Sequence, residues 1–375
     1  MSTLERSPSS PRAPSRPQHP LIVAAIALVL GTGLTAAGAG IGIRHLEKAG
    51  LTVLTVVGLM AMVAGLVLLG FGFRLSWKAL DGWARLALVP VGLAVLVVCY
   101  ALAIAVMVTV VPPTSLGAET PADRGMTYRD VSFTTTDGVQ LSAWYVPSGN
   151  GAAVVLMHGA GSTRTAVLPH AAVLARHGYG VLMVDARGHG KSGGRGMDLG
   201  WYGDQDVMAA VTFLTQQPGV DPGGIGVVGL SMGGEQAVGA AAADDRIRAV
   251  VGEGVTARTA ADRAGWLPGG LEGALLRGLD ALTYGFVDLL TPASPPARLD
   301  DAVAAADNAR FLLITGGTVP EEPLAAAHLK AAAPDRVDVW EVGHAGHTEG
   351  LQVQPAEWDA RVVALLDAQL SPSIR

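Results

Sequence analysis

The stretch Ile225-Gly226-Val227-Val228-Gly229-Leu230-Ser231-Met232-Gly233-Gly234 runs straight into an Ala-rich segment that ends at Ala243. Ile225 to Val228 is a short apolar run of the kind that fills a buried parallel strand, and Met232 to Ala243 reads as a helix. Between them stands G-x-S-x-G. Glycines on both sides of Ser231 permit a turn too tight for a Cβ. The Ser231 hydroxyl should therefore stand clear of a sheet edge, at the positive end of the helix that follows. In a chain with 49 glycines the five-residue pattern arises by chance; the strand before it and the helix after it give it weight.

The same alternation extends to either side. Thr127 to Thr136, the turn Asp137-Gly138 and Val139 to Val146 predict an antiparallel hairpin. Apolar runs at Ala152–Met157, Gly180–Val184, Ile247–Val251, Phe311–Ile314 and Val337–Val342 predict further buried parallel strands. Between them lie helical patterns at Thr165–His177, Tyr202–Gln216, Glu321–Ala332 and Pro355–Leu370. Strand alternating with helix predicts an α/β fold with a mostly parallel, doubly wound sheet. The connection from Gly254 to Ala309 is too long for a crossover and has helix-like pieces around Leu271 to Leu290. It predicts a lid over about residues 255–308.

Two more segments carry chemistry. Met157-His158-Gly159-Ala160-Gly161 follows a central strand. Its Ala160 N–H and the Met232 N–H are the expected donors to a developing oxyanion, each worth roughly 3 kcal/mol of transition-state stabilisation. His158 is expected to shape that loop rather than to react. Gly343-His344-Ala345-Gly346-His347-Thr348 follows the last strand and offers His347 as the base for Ser231, with His344 second. No H-E-x-x-H or comparable ligand spacing is present, so neither a metal nor a cofactor is expected. The single cysteine, Cys99, excludes an intramolecular disulfide.

With Asp185-Ala186-Arg187-Gly188-His189-Gly190-Lys191-Ser192-Gly193-Gly194 added, this ordered set resembles the α/β-hydrolase family of serine esterases, lipases and peptidases over nearly all of residues 126–370. The resemblance implies the α/β-hydrolase fold and a serine hydrolase that cleaves an ester or amide through an acyl-enzyme, an ester more readily than a peptide. It specifies no substrate beyond a small-molecule or lipid-like ester or amide. The family's triad acid usually follows the next-to-last strand as Gly-x-x-Asp, but Gly316-Gly317-Thr318-Val319 puts valine there. Glu321, Glu322 and Glu253 remain as candidates for the acid. The departure also leaves open a catalytically inactive hydrolase fold acting as a membrane-tethered binding or scaffold protein. Asp185 is expected to be structural, and Asp204 and Asp206 to be helix caps or surface residues.

The N-terminal part obeys different rules. Of 375 residues, 50% are hydrophobic and only 15% charged, against roughly 25% charge in an ordinary soluble protein. Leu21–Ile43, Leu51–Phe73 and Leu86–Val111 carry no charge over 23, 23 and 26 residues. At ~1.5 Å per residue each spans the roughly 30 Å of bilayer hydrocarbon, which predicts three transmembrane helices and a lipid bilayer as partner. No charge lies within a span, so a transport pathway is not indicated. Gly38 and Gly42 are spaced for close helix approach. Arg6, Arg12 and Arg16 in the tail and Arg74, Lys78 and Arg85 in the second loop, against Arg44 and Lys48 in the first, put the N-terminus in the cytoplasm and the hydrolase domain outside. Lysine is scarce while Arg and Ala abound, which points to a high-GC bacterium and a bacterial plasma membrane. The expected organisation is a disordered tail (1–20), a membrane domain (21–111), a Pro-containing linker (112–125) and a hydrolase domain (126–375). A net charge of −6, with residues 1–120 at +4, offers no polybasic surface for nucleic acid. Oligomeric state is left open.

Overall fold

The structure, a computed structural model, describes residues 19–370. The tail expected to be disordered lies outside them, except for its last two residues. Helices α1 (His19–Ala49), α2 (Val53–Ala79) and α3 (Leu88–Thr109), the last led by a 3-10 turn at Gly82–Ala87, are long and apolar enough to cross a membrane. They outrun the uncharged stretches because charge limits a span, not a helix: α1 continues through Arg44, Glu47 and Lys48. Apolar side chains such as Val29, Val67 and Leu96 point outward all round, rather than along one stripe as in a helix on a soluble core. Glycines bring α1 and α2 backbone to backbone. A Cβ on Gly38 would fall 2.3 Å from Met62 N, and one on Gly58 2.6 Å from Gly42 N. The small-residue spacing of α1 therefore serves packing within one chain.

Eight strands form one sheet: β1 (Arg129–Thr134), β2 (Gln140–Val146), β3 (Ala153–Met157), β4 (Gly180–Val184), β5 (Ile225–Leu230), β6 (Ile247–Glu253), β7 (Arg310–Gly316) and β8 (Val337–Val342). Their order is β1-β2-β4-β3-β5-β6-β7-β8, with β1 and β2 antiparallel and every pair from β4 onward parallel. The predicted hairpin and all six predicted parallel strands are present. Helices α4 (Leu168–Arg176), α5 (Gly203–Thr215), α6 (Met232–Ala243), α7 (Ala260–Trp266), α8 (Gly270–Leu290), α9 (Leu299–Ala305), α10 (Glu321–Ala332), α11 (Gly350–Val353) and α12 (Pro355–Leu370) complete the domain. Residues of α5, α6, α9 and α10 join one buried cluster and those of α4 and α12 another, so the sheet is covered on both faces.

Three details depart from expectation. The helix predicted from Thr165 becomes α-helical only at Leu168, after a 3-10 turn at Arg164–Val167, with Pro169 in its first turn. Helices α7, α9 and α11 were not foreseen; at 7, 7 and 4 residues they are too short to show a period. Asp206 is neither cap nor surface: it is buried and accepts from Arg187 Nε at 3.1 Å and Nη2 at 2.6 Å, while Arg187 also holds Asp137 of the hairpin turn. The segment expected as a lid is the α7–α9 insertion between β6 and β7. A small cluster of Ala105, Met197, Trp201, Val287 and Ala293 packs α8 onto α3 and onto the loop before α5.

Candidate active site

Ser231 sits at the tip of β5 with φ 52° and ψ −121°, a left-handed conformation rare for a residue with a side chain. Glycines make it possible. A Cβ on Gly229 would meet Gly233 C at 2.2 Å, and one on Gly233 would meet Met157 O at 2.6 Å. The Ser231 N–H donates to Glu253 O at 2.7 Å, while Ser231 O accepts from Gly234 N and Glu235 N. Met232 N–H lies before these first helical bonds, among the donors that a helix leaves free at its start.

The loop after β3 lies against this elbow. Gly159 stands so close that its own Cβ would be 3.4 Å from Ser231 Cβ. His158 is fully buried, with Nδ1 donating to Gly159 O at 2.8 Å and Nε2 accepting from Ala186 N at 3.0 Å. Burial holds its pKa down at about 3, so it is neutral and shapes the loop, as expected. Asp185 is likewise buried and accepts from the backbone of Arg164 and Lys191, a structural part.

Of the three candidate acids, Glu322 is the one that meets the histidine. His347 Nδ1 lies 2.6 Å from Glu322 Oε1, and Glu322 Oε2 accepts from Gly316 N at 2.7 Å. The carboxylate is fully buried, whereas the imidazole is about half exposed, at 47%. The Glu322 hydrogen bond raises the pKa of His347, against the opposing effect of burial. Thr318 ties the two loops together by donating through both its N–H and its hydroxyl to Ala345 O. The His347 ring also packs on Gly254, where a Cβ would fall 2.7 Å from Cε1. Ser231, through its bond to Glu253 O, and His347 therefore flank the same Glu253-Gly254 corner.

The other two glutamates are placed elsewhere. Glu321 is exposed and lies 3.9 Å from Arg263. Glu253 is buried, but its carboxylate accepts from Gly350 N at 2.6 Å and from Trp358 Nε1 at 3.1 Å, pinning α11 and α12 to β6. Its pKa is raised by burial. His344 is exposed. Among the described residues no group of three His, Cys, Asp or Glu side chains is arranged to hold a metal ion.

One part of the site has no signature in the sequence. Asp198 accepts from Gly161 N at 3.1 Å and pairs with Arg44 near the end of α1, and its own N–H donates to Val108 O of α3 at 2.9 Å. Lys48 Nζ donates to Gly161 O at 3.2 Å. The loop beside Ser231 is thereby fastened to the ends of two of the long apolar helices. Arg44 and Lys48 had meaning only as topology charges, because the partners lie more than 100 residues apart.

The sheet order, the strained serine between β5 and α6 and the histidine after β8 define an α/β-hydrolase. Comparison with known proteins agrees. The family model described as "Serine aminopeptidase, S33" matches residues 149–267. The esterase Pf2001 of Pyrococcus furiosus is 30% identical with a TM-score of 0.55, over 69% of this chain and 97% of that one. Thiohydrolase aneE of Aspergillus aculeatus is 41% identical over 129 residues, covering 33% of this chain and 41% of that protein. Polyketide transferase grgF of a Penicillium species is 35% identical over 127 residues, covering 32% and 43%. The matched stretch thus spans about two fifths of the curated relatives' length. The chain belongs to the α/β-hydrolase family.

Proposed function

We propose that this protein is a membrane-anchored serine hydrolase that cleaves a carboxylic ester through an acyl-enzyme. The observation that carries the reading is the buried Glu322 bonded to His347 Nδ1 at 2.6 Å, beside the corner that also holds Ser231. With Nδ1–H committed to Glu322, Nε2 is the free lone pair. It takes the Ser231 proton as Oγ attacks the carbonyl carbon, then delivers that proton to the leaving alcohol. The N–H groups of Ala160 and Met232 stabilise the oxyanion. Water, deprotonated by the same imidazole, releases the acid and restores Ser231.

The three apolar helices and their junction with the Gly161 loop support a bilayer anchor. The charge bias of the flanks supports a cytoplasmic N-terminus and an extracytoplasmic hydrolase domain in a bacterial plasma membrane, with α7–α9 as the lid. Valine at the Gly-x-x-Asp position leaves room for an inactive scaffold, but the Glu322 bond to His347, from a residue six positions after Gly316, favours an active site with Glu322 as its acid. Fluorophosphonate labelling of the purified full-length chain tests the reading: wild type should label and turn over p-nitrophenyl butyrate, and Ser231→Ala should do neither. Equal labelling of the two would sink it.

A further inference from the structure

We propose that the substrate is an acyl ester dissolved in the bilayer, of the glycerolipid kind, and that its acyl chain lodges between α1, α3 and α8. This rests on the reading of Ser231 as nucleophile and of α1–α3 as membrane spans. Two separate observations carry it, one of depth and one of shape.

Cations at the ends of spanning helices sit at the headgroup interface, so Arg44 and Lys48 mark that plane. Lys48 Nζ bonds Gly161 O at 3.2 Å, and Asp198, the partner of Arg44, holds Gly161 N at 3.1 Å. Gly159, two residues back, lies against Ser231. The serine therefore opens beside the anchor, at the level where the ester carbonyls of acyl lipids lie. A substrate arriving from bulk water gains nothing from that placement; one held in the bilayer needs no extraction.

The shape agrees. A cavity of about 570 Å³ with an almost wholly apolar lining is walled by Val29 and Gly33 of α1, Val95 and Leu102 of α3 and Phe286 of α8. A second, of about 270 Å³, lies on the other side of the α3–α8 contact between Tyr100, Ile104, Leu276 and Tyr284, with Leu199 and the paired Arg263 and Asp280 also on its wall. Leu199 belongs to the loop whose Gly200 packs on Met232, so close that a Cβ there would fall 2.8 Å from Met232 Cγ. Phe286 of the first cavity and Leu199 both pack against the buried Ala105, Met197, Trp201 and Val287, and this apolar cluster connects bilayer depth with the loop beside Met232. Helix α8 also turns Leu271, Leu275 and Leu289 outward, each more than 60% exposed, as does a helix lying in an interface. In the reaction the lipid's acyl C–O bond breaks as the Ser231 ester forms, its alcohol leaves with the proton from His347, and water frees the fatty acid.

The test places the full-length protein in vesicles of ether-linked phosphatidylcholine, which has no ester to cleave. The vesicles are doped in turn with dioleoylglycerol and dioleoylphosphatidylglycerol, and p-nitrophenyl butyrate is measured in parallel. Wild type should cleave the butyrate and at least one dioleoyl lipid, and Ser231→Ala neither. Gly33→Leu places a side chain in the apolar cavity, where a Cβ meets nothing within 4 Å. It should lower the ratio of dioleoyl to butyrate kcat/KM at least tenfold. Gly70→Leu, equally open but on α2, should leave that ratio unchanged. Cleavage of butyrate but of neither lipid, or an unchanged ratio in Gly33→Leu, overturns the proposal and leaves the serine hydrolase standing. No Ser231-dependent cleavage of any ester overturns both.

Discussion

Replacing Glu322 by glutamine keeps the side-chain shape and removes one acceptor. Glu322 Oε2 accepts from Gly316 N at 2.7 Å and Oε1 lies 2.6 Å from His347 Nδ1. A glutamine that keeps its carbonyl oxygen on Gly316 N–H turns its NH2 toward Nδ1. Two donors cannot share one bond, so the imidazole shifts its proton to Nε2, the atom that has to receive the Ser231 proton. The wrong tautomer costs about a thousand- to ten-thousandfold in kcat, roughly 4–5 kcal/mol of transition-state stabilisation. KM should hardly move, since nothing that binds substrate is altered. The pH profile gives a second readout. His347 must be neutral to act, and Glu322 raises its pKa above the ordinary 6.5. The acid limb of kcat/KM in wild type therefore falls above that value, and in Glu322→Gln it moves to lower pH. Steady-state hydrolysis of p-nitrophenyl butyrate between pH 5 and 9 measures both. Retention of more than a third of wild-type kcat, or an unmoved acid limb, would refute the assignment. Glu321→Gln should stay within twofold of wild type, and Glu253→Gln should chiefly lower stability, because its bonds go to Gly350 and Trp358.

Loosening the membrane-side fastening of the Gly161 loop, by Arg44→Met or Asp198→Asn, should lower kcat about ten- to a hundredfold through misplaced oxyanion donors. KM should change little and Arg44→Lys should recover part of the loss; unchanged kcat in both variants would show that the junction is only mechanical. Burial raises the pKa of Glu235 to about 7, although Thr256 N and Ala257 N donate to it. Because the folded state holds this proton more tightly, its contribution is present below about pH 4.5 and lost as pH rises to about 7, roughly 3 kcal/mol in all. Thermal unfolding in detergent should show that decline in wild type and a flatter profile in Glu235→Gln; parallel profiles would contradict it. A reporter active only in the cytoplasm, fused after Arg375, should be silent, and activity there would reverse the proposed orientation.

Much of this molecule is legible residue by residue because the forces involved are local. Alternating apolar runs and Ala-rich helices, with Asp137-Gly138 at the hairpin turn, place every strand. Uncharged stretches of 23 to 26 residues are long and apolar enough to cross a bilayer, and the glycines around Ser231 announce a backbone that only they permit. The acid is different. Three glutamates satisfied chain order equally, and the choice among them turned on burial and direction: Glu321 and Glu322 are neighbours at the start of α10, yet one faces solvent and the other lies in the core under His347. A helix turns about 100° per residue, so adjacent positions meet opposite environments, and only the packing of α10 against β7 and β8 decides which side is which. The bond from Lys48 to Gly161 and the pairing of Arg44 with Asp198 join residues more than 100 positions apart, by charges that any solvated surface also carries. Such contacts have no period and no motif. They exist because the folded sheet presents the edge that carries Ser231 to the ends of α1 and α3.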